Sequence, residues 1–266
     1  MTNAIRTPET VLITGASSGI GAALAECFAA DGATVILAAR REKELTEVAG
    51  KLVERHGVRV EVIPVDLAAP DGPAALCEEI AGRGLVVDVL VNNAGFGILG
   101  PFADSKRPLQ MAMIAVNVSA VTELTHRLLP GMLQGGRGGI LNVSSVAAYP
   151  PGPLMAVYYA CKAYVQSFSD ALRHELRDSP LTVTSLAPGP VDSEFASRSG
   201  IDSLGFFDRN SLPADRVAAA GHRAFRRGKR NCTPGWGNRL GTLATRWMPR
   251  ALSARIVAGI QGRKLQ

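Results

Sequence analysis

No acidic residue occurs in residues 216–266, the last 51 of the 266-residue chain. The same stretch holds 12 of the 29 lysines and arginines, whereas residues 1–215 hold all 23 acids and the other 17 basic residues. The net charge of +6 therefore divides into −6 and +12. A basic block of this kind suits an acidic partner, a nucleic acid or an anionic membrane surface, and composition alone does not choose among them. Other scarcities exclude more. The four cysteines (Cys27, Cys77, Cys161, Cys232) form no C-x-x-C pair and the four histidines do not cluster, so neither a disulfide framework nor a metal site is expected. Long apolar sequence is also lacking: the longest uncharged stretch, residues 138–161, carries Asn142, Ser144, Ser145 and three prolines, which excludes a lipid-exposed span. The first residues offer neither a basic start, an apolar core nor a cleavage site, so a cytoplasmic protein is expected. There is no Pro/Gly/Ser-rich linker and no internal repeat. With 47% apolar and 20% charged residues the chain can bury a large core, and one domain is expected over residues 1–266.

What is present is an alternation of short aliphatic runs with longer amphipathic ones. Strands are expected at 11–13, 34–38, 59–65, 86–91, 139–144 and 182–187, and helices at 19–30, 42–56, 72–82, 104–132 and 157–177. The strand runs are continuously apolar, as strands covered on both faces are, and each intervening helix is long enough for a right-handed crossover. The pattern predicts an α/β fold, a doubly wound parallel sheet of Rossmann type with helices on both faces. After Pro188 it becomes irregular. Residues 192–212, which include Phe195, Ile201, Leu204, Phe206 and Phe207, read as a lid, and residues 238–266 as a basic amphipathic C-terminal extension.

Directly after the first strand come Thr14, Gly15, Ala16, Ser17, Ser18, Gly19, Ile20 and Gly21. Between a strand and a helix, glycines at this spacing allow a tight turn and close approach of a pyrophosphate, while the helix N-terminus supplies free N–H groups. A plain Gly-rich turn is the alternative. At the end of the second strand, where an acid would hold the ribose hydroxyls of NAD, stand Ala38, Ala39, Arg40 and Arg41. Guanidinium groups clamp a 2′-phosphate that an acid would repel, so NADP(H) is preferred over NAD(H), unless the two arginines merely begin a solvated helix. Further along, Tyr158 and Lys162 lie four apart, one turn of the same helix face. An ammonium beside a phenol favours the phenolate, so Lys162 is expected to lower the Tyr158 pKa and make it a proton donor and acceptor. Tyr159 has no partner at that spacing.

These motifs occur in the order and spacing of a known family. From about Thr10 to Val191 the chain resembles a classical short-chain dehydrogenase/reductase: Thr14 to Gly21, then Asp66-Leu67, Asn92-Asn93-Ala94-Gly95, Asn117, Ser144-Ser145, Tyr158 with Lys162, and Pro188-Gly189-Pro190-Val191. The resemblance implies a catalytic set of Asn117, Ser145, Tyr158 and Lys162. Tyr158 would be the acid/base, Ser145 would polarise the carbonyl, and Asn117 would hold a water of the proton relay. Lys162 would also bind the nicotinamide ribose. The resemblance further implies that Gly15, Ser17, Ser18, Gly19, Ile20 and Gly21 cradle the cofactor, with Asp66 and Leu67 on the adenine. Asn93, Ala94 and Gly95 would line the nicotinamide-side ribose, and Pro188, Gly189 and Val191 would cover the nicotinamide, with Ser193 near its carboxamide. Ser144 would support the turn. For Asn117 a second role stays open, that of a buried amide satisfying a helix kink. The glycosylation patterns at Asn117 and Asn142 are discounted, since both are expected inside the fold.

The reaction implied is hydride transfer between NADP(H) and a ketone or aldehyde, or the reverse on a secondary alcohol. The uncharged 138–161 stretch and the phenylalanines of the lid point to a hydrophobic substrate. The other reading is a non-catalytic NADP(H)-binding module docked to a membrane or partner through its tail. In that tail Leu240, Leu243, Ala244, Trp247 and Met248 repeat at helical spacing, Pro249 interrupts, and Leu252, Ile256 and Ile260 continue. Two basic amphipathic helices are expected. Their apolar faces are expected to cap the substrate pocket or a subunit interface, with peripheral membrane contact as the sharper alternative. With no recognition motif or interleaved aromatics, nucleic acid is not expected as a partner. A homodimer or homotetramer through the two long helices is.

Overall fold

A computed structural model describes residues 8–192, 194–199 and 211–262. Ser193, Ile201, Leu204, Phe206 and Phe207 lie outside the described residues. Seven parallel strands form one sheet in the order β3-β2-β1-β4-β5-β6-β9. Their ranges are β1 Thr10–Thr14, β2 Thr34–Ala39, β3 Val60–Pro64, β4 Val89–Asn92, β5 Gly139–Val143, β6 Thr182–Leu186 and β9 Asn231–Cys232. Two short strands, β7 Val191–Asp192 and β8 Leu212–Pro213, pair apart from it.

Alternate residues of each strand feed two apolar layers. Val11, Ile13, Val35 and Leu37 pack with Leu24 and Phe28 of α1 (Gly19–Ala30), Leu45 and Leu52 of α2 (Glu42–His56), and Val217 and Phe225 of a helix near the C-terminus. Leu12, Ile36, Leu90 and Ile140 pack on the other side with Leu76 and Ile80 of α3 (Gly72–Gly82), Leu124 of α5 (Ala120–Gly135) and Leu172 of α6 (Ala156–Glu175). Because helices cover both faces, neither side of a strand needs polar residues, which is why these runs are continuously apolar. The fold is the doubly wound Rossmann type. After β3 the chain crosses back to place β4 on the far side of β1, and the strand order reverses there.

The structure departs from the sequence expectation in three places. The helix expected over 104–132 is a 3₁₀ turn (Phe102–Asp104), α4 (Arg107–Ile114), a π turn (Ala115–Ser119) and α5. Asn117 occupies the π turn, and its Nδ2 donates to Met113 O and Phe96 O, both at 3.0 Å. The side chain thus replaces regular helical bonding where the turn widens. In the irregular region, Glu194–Ser199 forms a short helix, α7. Beyond it an unexpected helix, α8 (Ala214–Arg226), buries Val217, Ala218, Gly221, Ala224 and Phe225, a helical repeat that sequence reading passed over; β9, two residues long, is too short to show a period. The tail helices are α9 (Trp236–Trp247) and α10 (Arg250–Gly262), separated at Pro249 as expected.

A buried amide ladder crosses the sheet beneath the strand ends. Asn92 Nδ2 donates to Asn142 Oδ1 at 2.9 Å, and Asn142 Nδ2 donates to Ser169 Oγ on α6 at 2.9 Å. Asn142 is fully buried, so its removal strands a donor on β4. Asn142→Ala is expected to lower unfolding free energy by about 1–3 kcal/mol in urea titration. An unchanged midpoint and slope would contradict this role.

Candidate active site

Where the strand order reverses, the segment from Thr14 to Gly21 leaves β1 and presses against the end of β4. Gly15 has φ +66°, and a Cβ there would lie 2.8 Å from Ala94 Cα. At Gly21 it would lie 2.4 Å from Gly15 O and 2.5 Å from Asn93 Nδ2. Only glycine fits either position without backbone movement. Asn93 fixes the approach: its Nδ2 donates to Thr14 O (2.8 Å) and Gly15 O (3.2 Å). Thr14 Oγ1 accepts from the backbone N–H groups of Asn93 and Ala94, each at 3.0 Å, and donates to Val91 O. Asn93 therefore joins the ends of the two central strands.

Ser18 is the N-cap residue of α1, yet its hydroxyl does not cap the helix. It donates instead to Glu194 Oε2 (3.0 Å) and accepts from Arg41 Nη2 (2.9 Å), which also reaches Ser17 Oγ (3.0 Å). Arg41 Nη2 lies 2.9 Å from Glu194 Oε2, and Arg41 also pairs with Glu44 at 3.1 Å. A carboxylate held by a guanidinium and a serine hydroxyl at a helix N-terminus shows that this corner accepts an anion. A phosphate fits the same donors. Arg40 is exposed on the same cleft. Asp66 is exposed and accepts from Ala68 N (2.9 Å), while the neighbouring Leu67 is buried.

Of the residues expected to serve cofactor or chemistry, all the described ones except Gly21 and Asn117 line one cavity of about 650 Å³; Ser193 lies outside the described residues. Gly21 packs behind Gly15, and Asn117 lies behind Gly95: a Cβ on Gly95 would be 2.5 Å from Asn117 Oδ1 and 3.4 Å from Lys162 Nζ. That Oδ1 is buried and has no hydrogen-bond partner among the described residues, while Nδ2 satisfies the kink. Asn117 and Asn142 are both fully buried, in keeping with the discounted glycosylation patterns.

Tyr158 and Lys162 share a face of α6, both buried, with Nζ 5.8 Å from the phenol ring centroid. Nζ donates to Val143 O at 2.9 Å, at the end of β5. Ser144 Oγ donates to Lys162 O (3.1 Å), a supporting role for that hydroxyl. Ser145 Oγ accepts from Ala147 N (3.1 Å), which fixes the turn after β5. Burial pushes Tyr158 well above the ordinary phenol pKa, with the Ser145 hydroxyl pulling the other way. Burial likewise pushes Lys162 down to about 8. This reverses the expectation that Lys162 lowers Tyr158, because the cost of desolvating the phenolate is the larger effect.

Three contacts escaped sequence reading. Glu194 lies 153 positions from Arg41, and no local pattern joins them. Tyr159 does have a partner, Gln261 of α10, whose Nε2 donates to its Oη at 2.7 Å; burial pushes this tyrosine up to about 12. Phe195, expected only as a lid residue, lies against Tyr158 with ring centroids 5.5 Å apart. The tail also differs in orientation. Asn238, Thr242, Thr245 and Met248 face the cavity from α9 and its end, with Ile256 and Ile260 from α10. Leu240, Leu243 and Trp247 are exposed. Of the expected apolar stripe, Leu240, Leu243 and Trp247 therefore face outward, while Ala244 and Met248 line the pocket with the small and polar residues of α9.

Among the described residues no group of three or more His, Cys, Asp or Glu side chains is placed to hold a metal ion, and no helix is long and apolar enough to cross a membrane. Residues 9–203 match the model of the short chain dehydrogenase family. Sulfoacetaldehyde reductase 2 of Chromohalobacter salexigens is 37% identical over 217 residues, which cover 79% of this chain and 85% of that protein. Among solved structures, a short-chain dehydrogenase from Sphingobium yanoikuyae in complex with NADPH has a TM-score of 0.80 at 33% identity, covering 97% of this chain and 98% of that one. A short-chain dehydrogenase/reductase from Burkholderia phymatum in complex with NAD has a TM-score of 0.78 at 27% identity, covering 90% and 91%. With a match across most of the chain and a relative this similar over most of both proteins, the chain belongs to the short-chain dehydrogenase/reductase family of nicotinamide-dependent oxidoreductases.

Proposed function

We propose that the protein is an NADP(H)-dependent carbonyl reductase acting on a hydrophobic ketone or aldehyde, with Tyr158 as acid/base and the reverse oxidation of a secondary alcohol at the same site. The observation that carries this reading is that one cavity joins the Arg41–Ser18 anion corner to Ser145, Tyr158 and Lys162. The alternative of a non-catalytic binding module has no use for a buried phenol beside a serine hydroxyl and a buried lysine. In this proposal the chain is one domain, with residues 192–212 as lid and 238–266 as extension. It works in the cytoplasm as a homodimer or homotetramer through α5 and α6, its tail in peripheral contact with a membrane.

Arg40 and Arg41 hold the 2′-phosphate in this reading. The dinucleotide, when bound, supplies the hydride. Ser145 donates a hydrogen bond to the carbonyl oxygen of the substrate, and Tyr158 delivers a proton to that oxygen as negative charge grows there. Burial keeps the phenol protonated at neutral pH, the form that reduction needs. Lys162 holds the nicotinamide ribose, and with its pKa near 8 it exchanges protons close to working pH. The unpaired Asn117 Oδ1, beside Gly95 and facing the Lys162 side, is the acceptor for a relay water behind the phenol. Gly15 to Gly21, Asp66, Leu67, Asn93 to Gly95 and Pro188 to Val191 form the rest of the cofactor wall. The absence of charge from the lining beyond Tyr158 suits an apolar substrate.

Three outcomes are expected. Tyr158→Phe removes the transferable proton, so kcat for ketone reduction should fall by about 10²–10⁴ with little change in NADPH affinity; retained turnover would contradict the proton-donor role. Glu194→Gln removes the carboxylate that occupies the anion corner, so NADPH should bind about threefold to fivefold tighter in fluorescence titration, and NADH should gain less. Equal gains for both cofactors would show that Arg41 does not read the 2′-phosphate. The third concerns Lys162, which binds its proton less tightly folded, at about 8, than at its ordinary 10.5. Below pH 8 both states are protonated; between 8 and 10.5 the folded state has already released the proton, so the contribution of this group to stability rises with pH. The Tm of wild type minus that of Lys162→Met should therefore increase from pH 8 to 10, and a falling difference would overturn the assignment.

A further inference from the structure

Four large apolar residues stand on α9 at positions 236, 240, 243 and 247, spacings of four, three and four that bring them to one side of the helix. All four are solvent-exposed: Trp236 by 79%, Leu240 by 62%, Leu243 by 53% and Trp247 by 90%. Leu252 and Ile256 of α10 are about half exposed as well. The opposite side of α9 is occupied, since Asn238, Thr242 and Thr245 line the cavity. Among the described residues the stripe thus has nothing to bury against. Exposed arginines accompany it: Arg239, stacked over the Trp236 ring at 5.7 Å, and Arg250 and Arg255 on α10. No acid occurs anywhere in residues 216–266 to offset them.

We propose that the outer stripe of α9 docks the protein on an anionic lipid bilayer, with Trp236, Leu240, Leu243 and Trp247 at the acyl boundary and Arg239, Arg250 and Arg255 among the lipid phosphates. Tryptophan and leucine flanked by arginine suit that boundary, where apolar area and cationic charge are satisfied together. A second copy of the chain is the competing occupant. In a two-fold contact the patch meets its own copy, and the tail has no acid to pair with its arginines. Anionic headgroups supply the missing charge. Docking requires nothing of the reaction. It does place the outer side of a cavity wall on lipid, and it names the surface for the membrane contact of the functional proposal.

The chain has only two tryptophans, both on this stripe, so their emission reports the proposed surface directly. Full-length protein is titrated with vesicles of phosphatidylcholine alone and of phosphatidylcholine with an equal share of phosphatidylglycerol, following tryptophan emission and co-sedimentation. The expected result is a blue shift and sedimentation with the anionic vesicles only. Leu243→Ser should weaken binding about tenfold, with NADPH affinity unchanged as the check that the fold survives. Sedimentation without a blue shift would place the contact on another surface and overturn the proposal. So would a protein that binds NADPH but no vesicle, or a blue shift that follows protein concentration without lipid and disappears with a dimer in Leu243→Ser. Loss of ketone reduction in solution would count against the functional proposal and leave this one standing.

Discussion

The close approach of two backbones at the centre of the sheet governs the rest of the molecule. Gly15 and Gly21 let the turn after β1 lie against Asn93 and Ala94, and the amide of Asn93 holds it there by two carbonyl bonds. A methyl group at either glycine would push the turn away from β4. Everything on the cofactor side follows from that contact: α1 begins with its N–H groups facing the cleft, Ser17 and Ser18 stand within reach of Arg41, and Gly95 is brought to Asn117 and Lys162. The Asn92–Asn142–Ser169 ladder ties the same strand end to α6, the helix that carries Tyr158.

Burial then sets the chemistry. Tyr158 and Lys162 are enclosed together, and desolvation shifts each towards its neutral form, the phenol upward and the ammonium downward. At neutral pH the phenol therefore keeps its proton, beside an ammonium whose proton is held less tightly than usual. Geometry on α6 brings the two side chains together; their protonation is decided by the enclosure that the fold, Phe195 of α7 and the tail helices create around them. At the other end of the cavity Glu194 stands where an anion belongs, which links occupancy of the anion corner to the helix that presses Phe195 on Tyr158.

Legibility in the sequence followed the range of the interactions. All six long strands, their parallel doubly wound arrangement, and the helices from α1 to α3 were readable because continuous apolar runs and 3.6-residue periods are local properties. Motif residues were readable for the same reason, each fixed by a strand end or a helix turn. The π turn at Asn117 was not, since it arises from a side chain bonding across to Phe96 O. Neither the Arg41–Glu194 pair nor the Tyr159–Gln261 pair has a local signal, the second spanning 102 positions. For α9 the period was readable and the division of its faces was not: Ala244 and Met248 turn to the cavity while Leu240, Leu243 and Trp247 face outward. An amphipathic stripe reveals that a helix has two faces, and the tertiary contacts decided that Asn238, Thr242 and Thr245 would face inward.

The basic tail thereby acquires two tasks on opposite sides of one helix, lining the cavity and presenting tryptophan, leucine and arginine outward. The chemistry proposed for the cavity is hydride transfer from NADPH to a carbonyl. Incubating the protein with NADPH deuterated at the transferable C4 position and a panel of hydrophobic ketones, then weighing the alcohols by mass spectrometry, tests it most directly. The expected product is an alcohol one mass unit heavier, the deuterium on the former carbonyl carbon. Failure to label any alcohol, by protein shown to bind NADPH, would contradict it.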